Sequence, residues 1–339
     1  MALQNRAQQL VDAWRALAAR EGRRGWLTVI VREGYPCRIL AGRKFPGNEE
    51  AVLFGFRTAC IPASNALPEG RGFSVTLVED DPRESGWKWM ALGRRASANT
   101  DLFTMMAVDV IGAVEESAHL SEERLAVRLV DRVRAWQEFM QRSGSGVLSP
   151  DEELGLFGEV LMLGTLLEKG MPAAAAVQAW QGPVGGGQDF AINTGGIEVK
   201  SSASADRFIA RVSSLEQLDD SMRNPIFVAA MGLAGDERGQ TLPECISHVR
   251  SQLEGDSARD MFTVRLLHAG YAERLASHYG RRCVLKTLRM LHVQGAFPRL
   301  TRAGVPAGIV KARYEVDLDG AANHAVPLDV ALQLLGGGE

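Results

Sequence analysis

Residues 188–200 read Gln188-Asp-Phe-Ala-Ile-Asn-Thr-Gly-Gly-Ile-Glu-Val-Lys200, and this stretch decides the fold of the region around it. Two short β-forming runs flank Asn193 to Gly196, residues that tolerate the positive φ angles of tight turns. The pattern predicts a β-hairpin in which Ile192 faces Ile197. In that register Asp189 lies opposite Lys200, and Ala191 lies opposite Glu198.

The predicted hairpin has one polar face and one apolar face, because successive side chains of a strand point to opposite sides. Asp189, Glu198 and Lys200 share the polar face. The other face carries four apolar side chains, Phe190, Ile192, Ile197 and Val199. Carboxylates and an ammonium this close repel or desolvate one another unless a cation or a substrate organises them. The hairpin is therefore a candidate functional site.

These side chains have the chemistry of a metal-assisted site. Mg2+ prefers oxygen ligands and commonly combines one or two carboxylates with water and substrate phosphate. Asp189 and Glu198 are candidate ligands, and we expect their carboxylates within reach of one metal ion. A lysine beside the metal positions or deprotonates the attacking water. Lys200 is the candidate for that role.

A helix upstream supplies a third acid. Ser149-Pro-Asp-Glu152 combines a capping box with proline at the first helical position, which predicts a helix ending near Lys169. Glu159 projects from a mostly apolar turn of this helix and could reach the metal or its waters. Gly155 and Gly158 each cost about 1 kcal/mol of helix propensity against alanine, which predicts close packing on the sheet or space for a ligand.

An isolated pair of hairpin acids is more simply a solvated hairpin with chance charges. Here the acids follow a helix acid, a Gly-Gly hairpin precedes Ser201-Ser202, and a second capping box begins at Ser213. Their order favours the functional interpretation over the solvated hairpin.

In these segments the chain resembles a bacterial family of PD-(D/E)XK members within the restriction-endonuclease-like superfamily. The resemblance rests on Gly155-Leu-Phe-Gly-Glu159, Ala179-Trp-Gln-Gly-Pro183, Gln188-Asp-Phe190, Ile197-Glu-Val-Lys-Ser-Ser202, Ser213-Ser-Leu-Glu-Gln-Leu-Asp219, Phe297-Pro-Arg-Leu-Thr-Arg302 and Val305-Pro-Ala-Gly-Ile309. It covers nearly the whole chain. Gln188 stands where the motif usually has proline, a departure that leaves the first acid intact.

The resemblance implies an α/β fold, α+β overall, with a restriction-endonuclease-like core of a mixed sheet flanked by helices. It implies Mg2+-dependent cleavage of DNA, with Mn2+ as a substitute, and a place in restriction or phage defence. The implied catalytic residues are Glu159, Asp189, Glu198, Lys200 and Gln217. The implied metal ligands are Asp189, Glu198 and the backbone carbonyl of Val199, with Glu159 acting through water.

Other residues are candidates for roles in the site, and each also has an ordinary structural explanation. Gln217 falls one turn into the helix predicted after Ser213, where it is either near the site or an ordinary solvated residue. A basic group could line a DNA groove or form a solvated face, namely Arg289, Arg299, Arg302, Lys311 and Arg313. The histidines His248, His268 and His292 lack partners at metal-ligand spacing and receive no role.

The first part of the chain predicts an N-terminal α+β domain of unknown role, residues 1–146, which carries no residue of the nuclease site. After an amphipathic helix in Met1–Arg24, β-forming runs occupy 26–31, 37–41, 51–56, 73–78 and 87–92, and helical patterns occupy 101–117 and 121–141. Ser143-Gly-Ser-Gly146 is a flexible break at which we place the domain boundary.

The remaining residues, 147–339, predict the nuclease-like domain with a C-terminal extension. After the capped helix we expect strands at 177–180, 189–192, 197–201 and 207–212, a helix opened by Ser213, and a strand at 226–233. Helices are expected at 243–253, 256–267 and 272–279, followed by β-like runs at 283–293 and 308–318.

Composition narrows the class of protein. The formal charge is −3, with 38 basic and 41 acidic residues, so any DNA contact must come from a local patch. Four scattered cysteines, Cys37, Cys60, Cys245 and Cys283, indicate a reducing cytoplasm. No secretory signal is visible, and the longest apolar run, Leu154–Leu167, is too short to cross a bilayer. We therefore expect a soluble protein without a membrane partner.

Two functions are compatible with these features of the sequence. The first is a DNA endonuclease. The second is a catalytically silent or partner-dependent subunit that binds DNA or assembles with other defence proteins, as an oligomer or alone. A purely structural scaffold conflicts with the polar hairpin face.

Overall fold

A computed structural model describes residues 2–19, 25–32, 36–59, 61, 66–70, 72–78, 86–142 and 147–336. The chain divides into two compact units, Met1–Gly144 and Ser145–Glu339. The expected flexible break Ser143–Gly146 lies outside the described residues. No helix in the described part of the chain is long and apolar enough to cross a membrane.

The first unit is an antiparallel sheet packed with helices. Its strands are β1 (Gly25–Arg32), β2 (Arg38–Phe45), β3 (Glu49–Phe56), β4 (Phe73–Val78) and β5 (Lys88–Arg94), in the order β1-β2-β3-β5-β4. Its helices are α1 (Ala2–Ala18), α2 (Thr100–Glu116) and α3 (Glu122–Arg142). The Trp14 indole of α1 donates to the Ala51 carbonyl at 2.8 Å and so fixes this helix on the sheet. The predicted strands and helices of this unit are confirmed in the described ranges, and residues 1 and 20–24 of the expected first helix lie outside them.

A buried carboxylate ties α3 to the end of β3. Oε2 of Glu122 accepts hydrogen bonds from the backbone N–H groups of Arg57, Thr58 and Ala59 at 3.0, 2.6 and 2.9 Å, and from the Thr58 hydroxyl at 2.8 Å. Burial raises the pKa of Glu122, but these hydrogen bonds outweigh it and hold the pKa below its usual range. The ionised form is therefore a structural part of the unit.

Replacing this carboxylate should destabilise the protein in a pH-dependent way. Glu122→Ala leaves three backbone donors without their acceptor and should lower the free energy of unfolding by about 2 kcal/mol or more at pH 7. Because the folded pKa is lowered, the wild-type contribution is complete above the unfolded pKa of about 4.3 and is lost as the pH falls through the folded pKa. Urea unfolding of the full chain at pH 7 and pH 4 measures both effects.

Glu123→Ala is the matched control, because Glu123 is the next residue of the same helix turn and is exposed. It should leave the free energy of unfolding almost unchanged at both pH values. Equal effects of the two substitutions would contradict the anchoring role of Glu122.

The second unit is built on a mixed sheet. Its strands are β6 (Phe190–Ile192), β7 (Gly195–Ser202), β8 (Ile209–Val212), β9 (Ile226–Gln240), β10 (Cys283–His292), β11 (Tyr314–Asp317) and β12 (Ala325–Val326). Five of them form a sheet in the order β12-β10-β9-β7-β6, and β8 pairs with β11. Strands β7 and β9 are parallel, and the other pairs are antiparallel.

Helices of this unit are α4 (Pro150–Glu168), α5 (Ala173–Ala179), α6 (Leu242–Gln252), α7 (Asp256–His268) and α8 (Leu328–Leu334). The capping box at Ser149 and Glu152 is confirmed, with both reciprocal hydrogen bonds present. Helix α4 lies close to β7, because a Cβ atom on Gly158 would overlap the Ser201 hydroxyl. The close packing expected of Gly158 is thus confirmed, whereas a Cβ on Gly155 would meet nothing.

Two predicted elements of this unit are wrong in type. Residues 177–180, predicted as a strand, belong mostly to α5, because the alanines from Ala173 to Ala176 favour a helix and only Trp180 forms a single bridge, to Phe190. The helix predicted after Ser213 is a 3-10 turn, Glu216–Leu218. The Gln217 side chain accepts from the Ser213 N–H at 2.7 Å. In a capping box that N–H would instead donate to the Glu216 side chain.

Two others are shorter or tighter than predicted. The segment expected as a helix at 272–279 is a 3-10 helix, Glu273–His278. The β-like run at 308–318 forms a strand only over Tyr314–Asp317. The restriction-endonuclease-like, mixed α+β architecture is nevertheless confirmed.

Candidate active site

The hairpin at 190–202 forms, but its register differs by two residues from the predicted one. Phe190 pairs with Ile197 and Ile192 pairs with Gly195, so the turn is Asn193-Thr194. Asn193 takes the positive φ of 49°, while Gly195 lies within β7, where a Cβ would come within 2.5 Å of the Pro225 carbonyl oxygen. The shift is even, so the alternation of faces survives it. Asp189, Glu198 and Lys200 remain on one face.

Asp189 and Glu198 are held by different means. Oδ2 of Asp189 accepts from the backbone N–H of Val199 at 2.7 Å, which fixes this acid against β7. Oε1 of Glu198 accepts from the Lys200 amine at 2.8 Å, and the Glu198 side chain is only 1% exposed. Oε2 of Glu198 is buried and has no hydrogen-bond partner among the described residues. The strand therefore offers one unsatisfied oxygen next to an ammonium group.

Glu159 reaches the same cluster from α4. Its Oε2 accepts from the Trp180 indole at 2.7 Å. A Cβ on Gly182 would lie 2.7 Å from Oδ1 of Asp189 and 2.9 Å from Oε2 of Glu159, so both oxygens border the space that this glycine leaves open. The structure thus brings together four of the five predicted catalytic residues.

The fifth, Gln217, makes its described contacts elsewhere. Its side chain caps the Ser213 N–H. Its carbonyl and that of Glu216 accept from the Gln188 amide at 3.3 and 2.8 Å. Gln217 therefore lies on the loop that holds the residue preceding Asp189, and its catalytic role stays a prediction.

Burial dominates the electrostatics of the cluster. It raises the pKa of Glu159 well above its usual value, with the nearby Asp189 carboxylate adding to the rise, and it also raises the pKa of Asp189. Burial and the charge of Asp189 raise the pKa of Glu198 to about 8. Three acids share one ammonium here, so we infer that they retain a proton near neutral pH.

Lys200 stays charged in this environment. Burial lowers its pKa, but the carboxylates of Glu198, Asp189 and Glu159 outweigh burial and raise it. Without a cation, Lys200 is an ammonium that donates hydrogen bonds. It can position a water molecule or a phosphate oxygen, and it cannot accept a proton in that state.

The donor set fits a hard cation. Among the residues that the structure describes, no three His, Cys, Asp or Glu side chains are arranged to hold a metal ion by themselves. Asp189 and Glu198 supply two carboxylates, one with an unsatisfied buried oxygen, and Mg2+ commonly completes such a pair with water and substrate oxygens. Glu159 borders the same space at Gly182, and the Val199 carbonyl belongs to the residue whose N–H fixes Asp189, so the roles expected of these two groups stay predictions.

Three contributors were missed by sequence reasoning. Trp180 was assigned to a strand, yet it donates to Glu159. Gly182 keeps space open between two acids, and Gln188 ties the first acid to the 3-10 turn. Trp180 and Gly182 fall in the resembling segment Ala179–Pro183, which was the only signal for them.

Most of the basic candidates are neutralised. Arg289, Arg299 and Arg302 pair with Asp319, Asp220 and Glu216 at 2.8, 3.0 and 2.6 Å. Arg299 and Arg302 therefore hold the loop around Glu216, and Arg289 is tied to Asp319. Lys311 and Arg313 are exposed and form no ion pair with any residue in the described ranges.

An acid-acid-lysine hairpin on a mixed sheet, with a further acid from the preceding helix, is the arrangement of the PD-(D/E)XK class of nuclease-like proteins. The chain belongs to the family described as "Putative PD-(D/E)XK family member, (DUF4420)", whose model matches residues 10–319. No curated protein and no solved structure matches the chain. Membership indicates a nuclease-like function, and proteins of this class usually use divalent metal ions.

The raised pKa of Glu198 predicts that this site lowers the free energy of unfolding in a pH-dependent way. The Glu198 carboxyl has a pKa of about 4.3 in the unfolded chain and about 8 in the folded protein. Its ionisation therefore begins to lower the free energy of unfolding above about pH 4.3, and the effect is complete above about pH 8. Glu198→Gln removes this charge and should raise the free energy of unfolding by about 2 kcal/mol at pH 8.5 in EDTA, with a smaller gain at pH 5. Urea unfolding at the two pH values measures the difference.

Glu168→Gln is the control, because Glu168 is exposed at the end of α4. It should change the unfolding free energy little at either pH. A Glu198→Gln protein that is less stable than wild type at pH 8.5 would show that the Lys200 contact outweighs the burial of charge.

Proposed function

We propose that the protein is a Mg2+-dependent deoxyribonuclease that hydrolyses phosphodiester bonds, with Mn2+ as a substitute. The observation that carries this proposal is the unsatisfied Oε2 of Glu198, buried beside the Lys200 ammonium and the Asp189 carboxylate. Family membership supports DNA as the substrate and divalent metal dependence. The resemblance described above also supports a role in restriction or phage defence.

Each residue of the site has a separate role in the proposed reaction. Asp189 and Glu198 would hold the divalent cation, which supplies Lewis acidity toward the scissile phosphate when bound. Lys200 donates from its ammonium and orients the attacking water or a phosphate oxygen. Trp180 fixes the Glu159 carboxyl, which borders the space next to Asp189 and can hold a water there. Gln188 keeps Asp189 in place through the loop carbonyls.

The cysteines support a cytoplasmic location for this activity. Cys37, Cys245 and Cys283 are buried free thiols, and burial raises the pKa of each. Unpaired buried thiols fit a reducing compartment. Cys60 lies outside the described residues.

Lys200→Ala should abolish cleavage and retain DNA binding. Loss of a water-positioning or general acid-base group commonly lowers the rate by about 10²- to 10⁴-fold, whereas one phosphate-directed charge changes binding far less. Cleavage of supercoiled plasmid with Mg2+, Mn2+ or EDTA measures the rate, and fluorescence anisotropy measures affinity. Lys169→Ala, an exposed lysine paired with Asp329, is the control and should cleave as wild type does.

Glu198→Ala should impair both metal binding and cleavage. If the wild-type chain cleaves no supercoiled, linear, single-stranded or modified DNA with either metal, even with the products of neighbouring genes added, the nuclease proposal fails. A DNA-binding or assembly subunit would then be the better interpretation.

A methyl group at Gly182 tests the site without removing any acid. Gly182→Ala places a Cβ within 2.7 Å of Oδ1 of Asp189 and 2.9 Å of Oε2 of Glu159, so one of the carboxylates must move. We expect Mn2+ affinity, measured by calorimetry, to fall about tenfold or more, as for disturbed metal-site neighbours in general. Gly187→Ala is the control, since its Cβ would meet nothing within 4 Å. Equal Mn2+ affinity of the two variants would exclude the space beside Gly182 from the metal site.

A further inference from the structure

The sheet of the first unit has a face that its helices do not use. Arg43 points to the helical side, where its Nε donates to the Trp14 carbonyl of α1 at 2.8 Å. Alternation therefore directs Lys44 to the opposite side, and the strand pairing places Trp26, Ala51 and Gly93 on that same side. We call this side the open face.

A cavity of about 280 Å³ lies on the open face. Its floor consists of Ala51, Ala91 and Gly93, residues with little or no side chain. One wall carries the Trp26 ring and Lys44, and the other carries Ser74 and Thr76. Because Ala51 and Ala91 are only 1% exposed, the room for a flat group beside the indole lies at Gly93, whose missing side chain leaves the space open.

The polar groups of this cavity are available to a ligand. The Lys44 amine lies 5.8 Å from the centre of the Trp26 ring and forms no ion pair with any described residue, although Glu49 is its cross-strand neighbour. The hydroxyls of Ser74 and Thr76 form no hydrogen bond within the described ranges. Glu50, which also borders the cavity, is by contrast fully engaged by Arg43 and Arg94 at 2.7 and 2.6 Å.

An aromatic wall, hydrogen-bonding hydroxyls and an ammonium whose described contact is with the indole match the three parts of a nucleotide. A base stacks on an aromatic ring whatever its sequence, its edge pairs with hydroxyls or with the Glu49 carboxylate, and its phosphate attracts the ammonium. Beyond the cavity the same side carries the buried Leu40, Leu53 and Trp89. It then reaches Trp87, where the guanidinium carbons of Arg38 and Arg57 lie 4.5 and 4.9 Å from the ring centre. A ligand that uses both places must be a strand and not a single nucleotide.

We propose that this cavity binds one unpaired nucleotide of a DNA strand, with the base stacked on Trp26 in place of the Lys44 amine that lies over the ring, and with that amine turned toward the phosphate. The choice of DNA as the ligand rests on the nuclease function proposed above. The first unit would then hold single-stranded or locally opened DNA while the second unit carries the hydrolytic site.

Filling the cavity is the sharpest test. A Cβ on Gly93 would meet only the Ser74 carbonyl oxygen, at 4.0 Å, and Gly93 lies in β5, so Gly93→Val should fold and occupy the floor of the cavity. The full chain carrying Lys200→Ala is titrated in EDTA against labelled oligonucleotides of about 12 nucleotides, single-stranded or duplex. We expect Gly93→Val to weaken single-strand binding about tenfold or more and duplex binding less than about twofold.

Three further variants complete the design. Gly235→Val is the matched control, because this exposed strand residue of the second unit has nothing within 4 Å of its Cβ position. It should bind both oligonucleotides as the parent does. Trp26→Ala should reproduce the loss, whereas Trp26→Phe should retain most of the affinity because a stacking ring remains. Urea unfolding confirms that each variant is folded.

The outcomes separate this proposal from the nuclease function. Single-strand binding that is absent in the parent, or unchanged in folded Gly93→Val and Trp26→Ala proteins, overturns the nucleotide cavity while leaving plasmid cleavage as an independent result. Free deoxynucleoside monophosphate that competes as well as the oligonucleotide also overturns it, in favour of a soluble ligand. Loss of single-strand binding in a chain that cleaves nothing supports the cavity and contradicts the nuclease.

Discussion

The second unit depends on burying three carboxyl groups and one amine in a single cluster. Such a cluster costs free energy unless each group finds a partner, so the surrounding elements must approach closely. Helix α4 does so at Gly158, the turn before β6 does so at Gly182, and the Trp180 indole and Val199 N–H each satisfy one carboxyl oxygen. Oε2 of Glu198 is left buried without a hydrogen-bond partner among the described residues, and this oxygen supports the proposal of a ligand at the cluster.

The sequence predicts those parts of the site that depend on the alternation of side chains between the two faces of a strand. The proposed register was wrong by two residues because Asn193, and not the Gly-Gly pair, takes the positive φ of the turn. An even error leaves every side chain on its predicted face, so Asp189, Glu198 and Lys200 were still grouped correctly. Capping signals that use local hydrogen bonds, as at Ser149, were equally reliable, whereas the one at Ser213 failed because a nearby glutamine side chain competed for its donor.

The contacts that sequence could not predict are tertiary. Trp180 meets Glu159 across 21 positions, and Gln188 meets Glu216 across 28, so no local periodicity reports either pair. Gly182 matters for the side chain it lacks, which is visible only once two acids are placed beside it. Likewise, the basic residues at 289, 299 and 302 indicate a DNA groove in the sequence alone, because their acidic partners lie elsewhere in the chain.

Charge balance supports the proposal that this cluster takes a divalent cation. With all three acids ionised and Lys200 protonated, the cluster carries two uncompensated negative charges, which burial penalises and which the raised carboxyl pKa values express as retained protons. A divalent cation cancels both charges, whereas a monovalent ion would leave one. In the proposed site, binding of a divalent ion would therefore release protons and remove the free-energy cost of the buried negative charge. The same carboxylates raise the pKa of Lys200 and keep it an ammonium, the state in which it donates hydrogen bonds in the proposed reaction.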